Sequence, residues 1–234
     1  MENWLNREEL LIGKENVEKL MNSTVAIFGC GGVGSYAVEG LARAGIGKFV
    51  LIDKDIVDVT NINRQLIANT TTIGQDKVAV EKERILKINP NADVKTYKEF
   101  YNKENAEKLV STEYTYIVDA IDSVSSKISL IKEANKKDIK IISAMGMGNK
   151  LNPTMIEVAD ISKTEVCPLA KVIRKKLKEE GIYHTKVVYS KESPTRVDDS
   201  EENKQTTASI SFVPSVCGLI MASEIVKDII EWIK

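Results

Sequence analysis

Cysteine is scarce in this chain. Its 234 residues include three cysteines, which lie far apart and form no CxxC pair. This spacing argues against a zinc ribbon and against a secreted disulfide scaffold, and it fits a reducing cytoplasm.

Net charge is also nearly absent. The chain has 33 lysines and arginines and 34 aspartates and glutamates, which gives a formal net charge of −1. The whole molecule therefore exerts no general attraction on nucleic acid, and any RNA contact has to come from a local basic surface.

No long hydrophobic run is present. The apolar stretch at residues 210–222 is interrupted by Pro214 and is shorter than a membrane span. The N-terminus carries Glu2, Glu8 and Glu9 instead of the apolar core of a signal peptide. We therefore expect no membrane insertion and a cytoplasmic protein.

The most informative feature that is present is the segment GCGGVGS at residues 29–35. It follows the apolar run 24–28 and precedes a helical pattern at 36–44. A strand, a glycine-rich turn and a helix N-terminus in this order let backbone N–H groups approach an anion. The pattern predicts a bound nucleotide.

Gly29, Gly31 and Gly34 also satisfy GxGxxG, and Asp53 closes the next predicted strand, where a carboxylate can bind ribose. A dinucleotide-dependent oxidoreductase would use the same turn and carboxylate, and a tight turn can be purely structural. The glycines alone leave these alternatives open.

Strands and helices alternate through the first two thirds of the chain. We predict further strands at residues 48–52, 94–97, 114–120 and 139–144, and helices at 75–88, 103–110 and 125–136. This alternation indicates an α/β fold, namely a Rossmann-like, mostly parallel sheet covered by helices on both faces. Its ligand should lie at the carboxyl ends of the strands.

The regularity weakens after Gly146. Here we predict a smaller C-terminal extension with a second sheet region, built from strands at 155–158 and 184–190 and helices at 168–180 and 214–233. Residues 191–207 are polar, contain Pro194 and carry a cluster of acidic residues. This composition predicts a flexible loop.

Several charged residues beyond Asp53 favour a binding site for ATP over one for a redox cofactor. A triphosphate carries more negative charge than a dinucleotide and usually requires fixed cations and a metal. Arg64, in the segment TNINRQ, and Lys77 can supply the cations, and Asp122, in DAIDS, can supply the metal carboxylate. Each of these residues alone has a plainer interpretation, as a turn residue, a solvated face or a helix cap.

This combination resembles the ubiquitin-activating-enzyme-like superfamily of ATP-dependent carboxylate-adenylating enzymes over nearly the whole chain. The resemblance implies one adenylating domain of the ThiF type over residues 1–234, with N-terminal helices in the arm at 1–22. It implies ATP and Mg²⁺ as cofactors, with Asp122 holding the metal. The nucleotide-binding residues it implies are Gly29, Gly31, Gly32, Gly34, Asp53, Asp55, Asn61, Asn63, Arg64, Gln65, Lys77, Asp122 and Ser123.

The N-terminal segment NREELLIG resembles the arginine-bearing start of the same superfamily. In these homodimers that arginine reaches the ATP site of the partner subunit, which makes Arg7 a catalytic candidate beside Arg64, Lys77 and Asp122. An arginine supplied in this way stabilises charge in a phosphoryl transition state. Arg7 also has a plainer interpretation as a solvated residue before a helix.

Within the superfamily, the sequence looks closest to the tRNA threonylcarbamoyladenosine dehydratase branch. The matching segments are DAIDS, KINP at 87–90, PLA at 168–170 and VVYSKE at 187–192. In that branch ATP activates the threonylcarbamoyl carboxylate on the tRNA adenosine beside the anticodon, and a ring closes with loss of water. The alternative is adenylation of the C-terminal carboxylate of a small ubiquitin-like sulfur-carrier protein, with a carrier or sulfur-delivery partner.

The structural zinc common in sulfur-carrier activators is not expected, because it needs two CxxC pairs. Cys167 is the best candidate for an acyl-accepting thiol, whereas Cys217 is expected in the core and Cys30 as a packing residue. The lone His184 receives no role.

A basic stretch is the candidate tRNA surface, unless it is only a solvated helix face: Lys171, Arg174, Lys175, Lys176 and Lys178.

Overall fold

A single seven-stranded sheet organises the protein. The computed structural model describes residues 4–195 and 207–232, and the strand order in the sheet is β3-β2-β1-β4-β5-β7-β6. The strands are β1 Thr24–Phe28, β2 Lys48–Ile52, β3 Asp93–Tyr97, β4 Tyr116–Asp119, β5 Lys140–Ala144, β6 Ile156–Asp160 and β7 Lys186–Ser190. All neighbouring strands pair parallel except β6, which runs antiparallel to β7 at the edge.

Helices cover both faces of this sheet. They are α1 Asn6–Ile12, α2 Lys14–Asn22, α3 Gly34–Arg43, α4 Lys77–Ile88, α5 Ala106–Leu109, α6 Val124–Lys136, α7 Pro168–Glu179 and α8 Phe212–Ile229. Short 3₁₀ turns lie at Val59–Asn61, Pro153–Met155 and Ile161–Lys163. The predicted alternation of strand and helix is therefore confirmed, and α1 and α2 lie within the N-terminal segment 1–22.

The core is divided by the sheet because side chains alternate along each strand. In β1, Val25 and Ile27 pack in a cluster with α3, α4 and α8, whereas Ala26 and Phe28 pack in a second cluster with α5, α6 and α7. The strand is consequently apolar at nearly every position, as expected for a parallel sheet buried on both faces.

The prediction of a second sheet region was wrong. Strand β7 pairs parallel with β5, and β6 pairs with β7, so both extend the same sheet. Val187 and Val188 are fully buried and belong to the two opposite core clusters. A strand that contributes to both cores fits only inside the main sheet.

Most of the segment for which we predict flexibility, 191–207, falls at residues 196–206 and lies outside the described residues. Helix α8 begins at Phe212, and Pro214 lies in its first turn. Backbone N–H groups in the first turn of a helix have no acceptor within the helix, so the missing N–H of proline costs no hydrogen bond there. Among residues 4–195 and 207–232, no helix combines the length and apolar character that a membrane crossing requires.

Candidate active site

An open cleft of about 720 Å³ lies at the carboxyl ends of β1, β2, β4 and β5. This is the edge at which parallel α/β sheets bind ligands. Ten of the residues with a predicted nucleotide contact line it: Gly29, Gly31, Gly32, Asp53, Asp55, Asn61, Arg64, Gln65, Lys77 and Asp122. Residues that are far apart in the chain are thus brought into one cleft.

The glycines of the turn after β1 have different roles. Gly29 has a φ of 95°, and a Cβ there would lie 2.7 Å from the carbonyl oxygen of Ala120. A Cβ at Gly34 would overlap the carbonyl oxygen of Gly29. A Cβ at Gly31 would meet only Gln65 Nε2, at 3.8 Å. Gly29 and Gly34 therefore close the turn, whereas Gly31 leaves room for a ligand.

Asp53 joins the turn to the end of β2. One of its carboxylate oxygens accepts a hydrogen bond from the Cys30 N–H at 2.7 Å, and the other accepts one from the Asp55 N–H at 2.8 Å. A carboxylate has about four lone-pair sites. Asp53 can therefore accept further hydrogen bonds from a ligand while these two hold it in place.

Two cations, Arg64 and Lys77, line the cleft. Lys77 begins α4, is 6% exposed, and places its Nζ 3.2 Å from Asp55 Oδ2. Arg64 Nη1 donates to Thr60 O at 2.8 Å and to Asn63 Oδ1 at 2.9 Å. Both side chains are held by the protein, so they can neutralise a bound anion without a large rearrangement.

Asn63 does not line the cleft but orients a residue that does. Its Oδ1 accepts from Arg64, and its Nδ2 donates to Ser209 O at 3.0 Å. The side-chain oxygen of Gln65 is buried and has no hydrogen-bond partner among the described residues. It is an acceptor in the cleft wall that a ligand hydroxyl can satisfy.

The two aspartates at the end of β4 have separate roles. Asp119 is fully buried, and its Oδ2 accepts hydrogen bonds from Lys127 Nζ at 2.8 Å and Ser143 Oγ at 2.5 Å. Asp122 is exposed and lines the cleft. Ser123 caps α6 by accepting from the Ser126 N–H at 3.5 Å. Asp122 is therefore the carboxylate of this segment that a ligand can reach.

All three cysteines are free and buried. Burial is the main cause that raises the pKa of Cys217 to about 12 and that of Cys30 well above its usual value. Cys217 lies on the buried side of α8, and Cys30 packs into the same core from the glycine turn, as we predicted. Cys167 precedes α7 and lines the cleft, although it is only 3% exposed.

The basic residues of α7 are not equivalent. Arg174 Nη1 donates to Thr164 O at 2.7 Å and to Thr164 Oγ1 at 2.6 Å, so it fastens α7 to the preceding turn. Lys176 forms an exposed ion pair with Glu179. Lys171, Lys175 and Lys178 are exposed. The candidate tRNA surface thus reduces mainly to these three lysines.

Arg7 and His184 lie on exposed parts of the surface. Arg7 is on α1 and does not line the cleft of its own chain. His184 Nδ1 lies 3.3 Å from Asp160 Oδ2. The role expected for Arg7 in a partner subunit's site stays a prediction.

Sequence reasoning missed the wall of the cleft that follows β5. This wall is formed by residues 144–150 and lies beside Cys167, which the sequence did single out. It includes Lys150, a buried lysine. The available signal was the segment GMGNK directly after a buried strand, because loops at the carboxyl ends of parallel strands line ligand sites.

A sequence model of the ThiF family matches residues 5–233. The chain belongs to the ThiF family. It is 46% identical over 239 residues to the tRNA threonylcarbamoyladenosine dehydratase of Bacillus subtilis (strain 168), covering 97% of this chain and 94% of that protein.

Two solved structures are similar to this chain over nearly its whole length. The Escherichia coli tRNA N6-threonylcarbamoyladenosine dehydratase TcdA in complex with AMP matches with a TM-score of 0.90 and 32% identity, covering 99% of this chain and 96% of that one. The same E. coli enzyme in complex with ATP matches with a TM-score of 0.89 and 32% identity, covering 97% and 93% of the two chains.

Proposed function

We propose that this protein is an ATP-dependent tRNA threonylcarbamoyladenosine dehydratase. It would adenylate the threonylcarbamoyl carboxylate on the tRNA adenosine beside the anticodon and close the ring. The observation that carries this proposal is the convergence of an open glycine turn, the carboxylate of Asp53, and the cations Arg64 and Lys77 in one cleft. The names of the relatives, and the AMP and ATP in the similar structures, support the same function.

The proposed reaction has two steps. First, a carboxylate oxygen attacks the α-phosphorus of ATP and pyrophosphate leaves, which forms an acyl adenylate. Second, a nitrogen or oxygen of the same substituent attacks the acyl carbon, and AMP leaves with one former carboxylate oxygen. The products are the cyclic nucleoside, AMP and pyrophosphate, so the oxygen of the lost water ends in AMP.

In this scheme the chain's own residues bind and orient the nucleotide. Asp53 accepts hydrogen bonds from the ribose hydroxyls, and the N–H groups near Gly31 and Gly32 approach the phosphates. Arg64 and Lys77 lie in the same wall and stabilise the negative charge that develops on the leaving pyrophosphate.

Asp122 fits the proposed Mg²⁺ site. Mg²⁺ in nucleotide sites is usually held by one or two carboxylates together with substrate phosphates and water. Within the described part of the chain, no three acidic, cysteine or histidine side chains cluster as a metal cage. A single exposed carboxylate in the cleft wall is consistent with an ion that arrives with ATP and neutralises part of its charge.

A cysteine nucleophile is not needed for the second step. The attacking atom is tethered to the activated acyl group, and well-oriented intramolecular attack corresponds to effective concentrations of about 10⁵ M or more. The raised pKa values of Cys30 and Cys217 keep both as thiols. Cyclisation therefore depends on orientation and on the exclusion of water.

We further propose that tRNA lies along α7 and that the active unit is a homodimer in the cytoplasm. The exposed lysines Lys171, Lys175 and Lys178 suit contacts to phosphates. A homodimer would allow Arg7, exposed on α1, to reach the site of the partner subunit. Three unpaired cysteines fit a reducing compartment.

Pyrophosphate release on addition of ATP and Mg²⁺ tests this function. tRNA that carries threonylcarbamoyladenosine should trigger release, and mass spectrometry should show the nucleoside losing the elements of water. Unmodified tRNA is the control. Release with a carrier protein ending in Gly-Gly, and none with the modified tRNA, would favour the alternative substrate.

A further inference from the structure

Lys150 is a nearly buried cation in the wall of the cleft, and the nucleotide scheme above does not use it. The residue is 4% exposed, and its Nζ donates a hydrogen bond to Ser190 O at 3.1 Å. Among the described residues this is its one hydrogen-bond acceptor. An ammonium group has three donors, so Lys150 can still bind an anion that enters the cleft.

The neighbouring carboxylate does not neutralise Lys150 through a direct ion pair. Glu192 accepts hydrogen bonds from the Leu151 N–H at 2.9 Å and the Asn152 N–H at 2.8 Å, which fixes it on the backbone of the adjoining turn. Burial lowers the pKa of Lys150, although the nearby Cys167 and the charge of Glu192 oppose this shift. Binding of an anion therefore stabilises the charged form of Lys150.

The strand order places Lys150 on the side where the acyl substrate must enter. Asp53 follows β2, and the glycine turn follows β1, so the proposed scheme places the ribose and phosphates at that end of the cleft. Lys150 belongs to the loop after β5, which is two strand positions beyond β1. Two strand spacings amount to about 10 Å. The group that attacks the α-phosphorus therefore approaches from the β5 side.

The loop that carries Lys150 is firmly held by its neighbour Asn149. Asn149 has a φ of 59°, and its N–H donates to Ala208 O at 2.8 Å. Its carbonyl oxygen accepts from the Thr195 N–H at 2.7 Å, and its side-chain oxygen accepts from the Ala208 N–H at 2.6 Å. These bonds fix the backbone at Asn149 and therefore the direction of the Lys150 side chain.

We propose that Lys150 binds the substrate carboxylate before adenylation and selects acidic substrates. This inference rests on the proposed function. A carboxylate that approaches ATP is repelled by the phosphates, and a fixed ammonium beside its path offsets that repulsion. Lys150 holds one carboxylate oxygen while the other attacks phosphorus. After adenylation the acyl group is uncharged, so the ion pair no longer restrains it.

Binding to anticodon stem-loops without ATP tests this role directly. One stem-loop carries threonylcarbamoyladenosine with its free carboxylate, and the other carries the methyl ester. The wild-type protein should bind the acid about tenfold to a hundredfold more tightly, as expected for a charge-assisted hydrogen bond. Lys150→Met should bind the two equally. Equal binding by the wild type, or an unchanged preference in Lys150→Met, would overturn the proposal.

Matched variants separate this role from a structural one. Lys150→Met should bind ATP within about twofold of the wild type by calorimetry, and Lys150→Arg should restore part of the preference for the acid. Lys77→Met should show the opposite pattern, with weaker ATP binding and an intact preference. Failure of the wild type to release pyrophosphate with modified tRNA would instead contradict the proposed function itself.

Discussion

At Gly31 the protein has room for a methyl group, whereas at Gly34 a methyl group would overlap the backbone of Gly29. Both residues belong to the same GxGxxG pattern, and the sequence does not distinguish them. Their different surroundings predict that Gly31 is needed for ligand binding and Gly34 for folding, although both lie in one turn.

Gly31→Ala should leave the free energy of unfolding within about 1 kcal/mol of the wild type, because replacing glycine in open space mainly restricts the unfolded chain. It should nevertheless weaken ATP binding at least about tenfold, since the methyl group stands where a phosphate approaches the backbone. Urea denaturation and calorimetry measure the two effects. Gly34→Ala is the contrasting variant and should lose both stability and binding; an unstable Gly31→Ala would contradict this division.

Glu81 is a second residue whose environment makes a measurable prediction. It is fully buried in α4, its carboxylate oxygens have no hydrogen-bond partner among the described residues, and burial raises its pKa well above 4.5. Between 4.5 and the raised value, the folded protein binds more protons than the unfolded chain. The contribution of Glu81 to stability therefore falls as the pH rises through this window.

Glu81→Gln should abolish this dependence because the amide does not titrate. We expect the free energy of unfolding of the variant to decrease less between pH 5 and pH 8 than that of the wild type. Urea denaturation at both pH values measures this difference. Glu83→Gln, on the exposed side of the same helix, should behave like the wild type; identical pH dependence in Glu81→Gln would show that Glu81 does not carry a raised pKa.

The site residues that could be predicted from the sequence are those that lie at the end of a predicted strand or at the start of a predicted helix. Asp53 ends an apolar run, and Lys77 begins a helix, so their places at the sheet edge followed from strand and helix prediction. Lys150 could not be found in this way, because its position depends on its own contact with Ser190 and on the contact of the adjacent Asn149 with Ala208, which no local pattern reveals.

At the scale of elements, periodicity predicted each strand but not its partners. The strands β6 and β7 were expected, yet their joining of the main sheet was not. Pairing is decided by which faces are buried, and the apolar run of β7 is equally consistent with a strand in a separate sheet. The continuous burial of Val187 and Val188 is a tertiary property.

Helix α7 supports a prediction about tRNA. Lys171→Glu, Lys175→Glu and Lys178→Glu together should weaken tRNA binding and reduce its salt dependence, because each phosphate contact contributes about one unit to the slope of log affinity against log salt. Filter binding at several salt concentrations measures this slope. Lys14→Glu, Lys87→Glu and Lys136→Glu form the control, since all three lysines are exposed elsewhere. Equal effects of both triple variants would remove α7 from the RNA surface.

At the scale of the whole molecule, the central question is whether one chain completes its own site. If Arg7 acts in the partner subunit, Arg7→Ala and Lys77→Met should each be nearly inactive, but their mixture should regain activity. A mixed dimer would contain one site with both residues, so random exchange restores about a quarter of wild-type activity.

Pyrophosphate release before and after subunit exchange measures this recovery. Two preparations of Lys77→Met mixed together provide the control and should stay inactive. An active Arg7→Ala protein would show that the arginine of α1 is dispensable, and a mixture without recovery would place Arg7 in the site of its own chain or outside catalysis.

The most direct test of the account is the fate of the substrate carboxylate oxygens. tRNA carrying threonylcarbamoyladenosine labelled with ¹⁸O in its carboxylate is incubated with ATP, Mg²⁺ and the enzyme, and the phosphorus-containing products are analysed by mass spectrometry. Adenylation followed by ring closure predicts one labelled oxygen in AMP and none in pyrophosphate. Unlabelled AMP, or a label found in inorganic phosphate, would contradict an acyl adenylate.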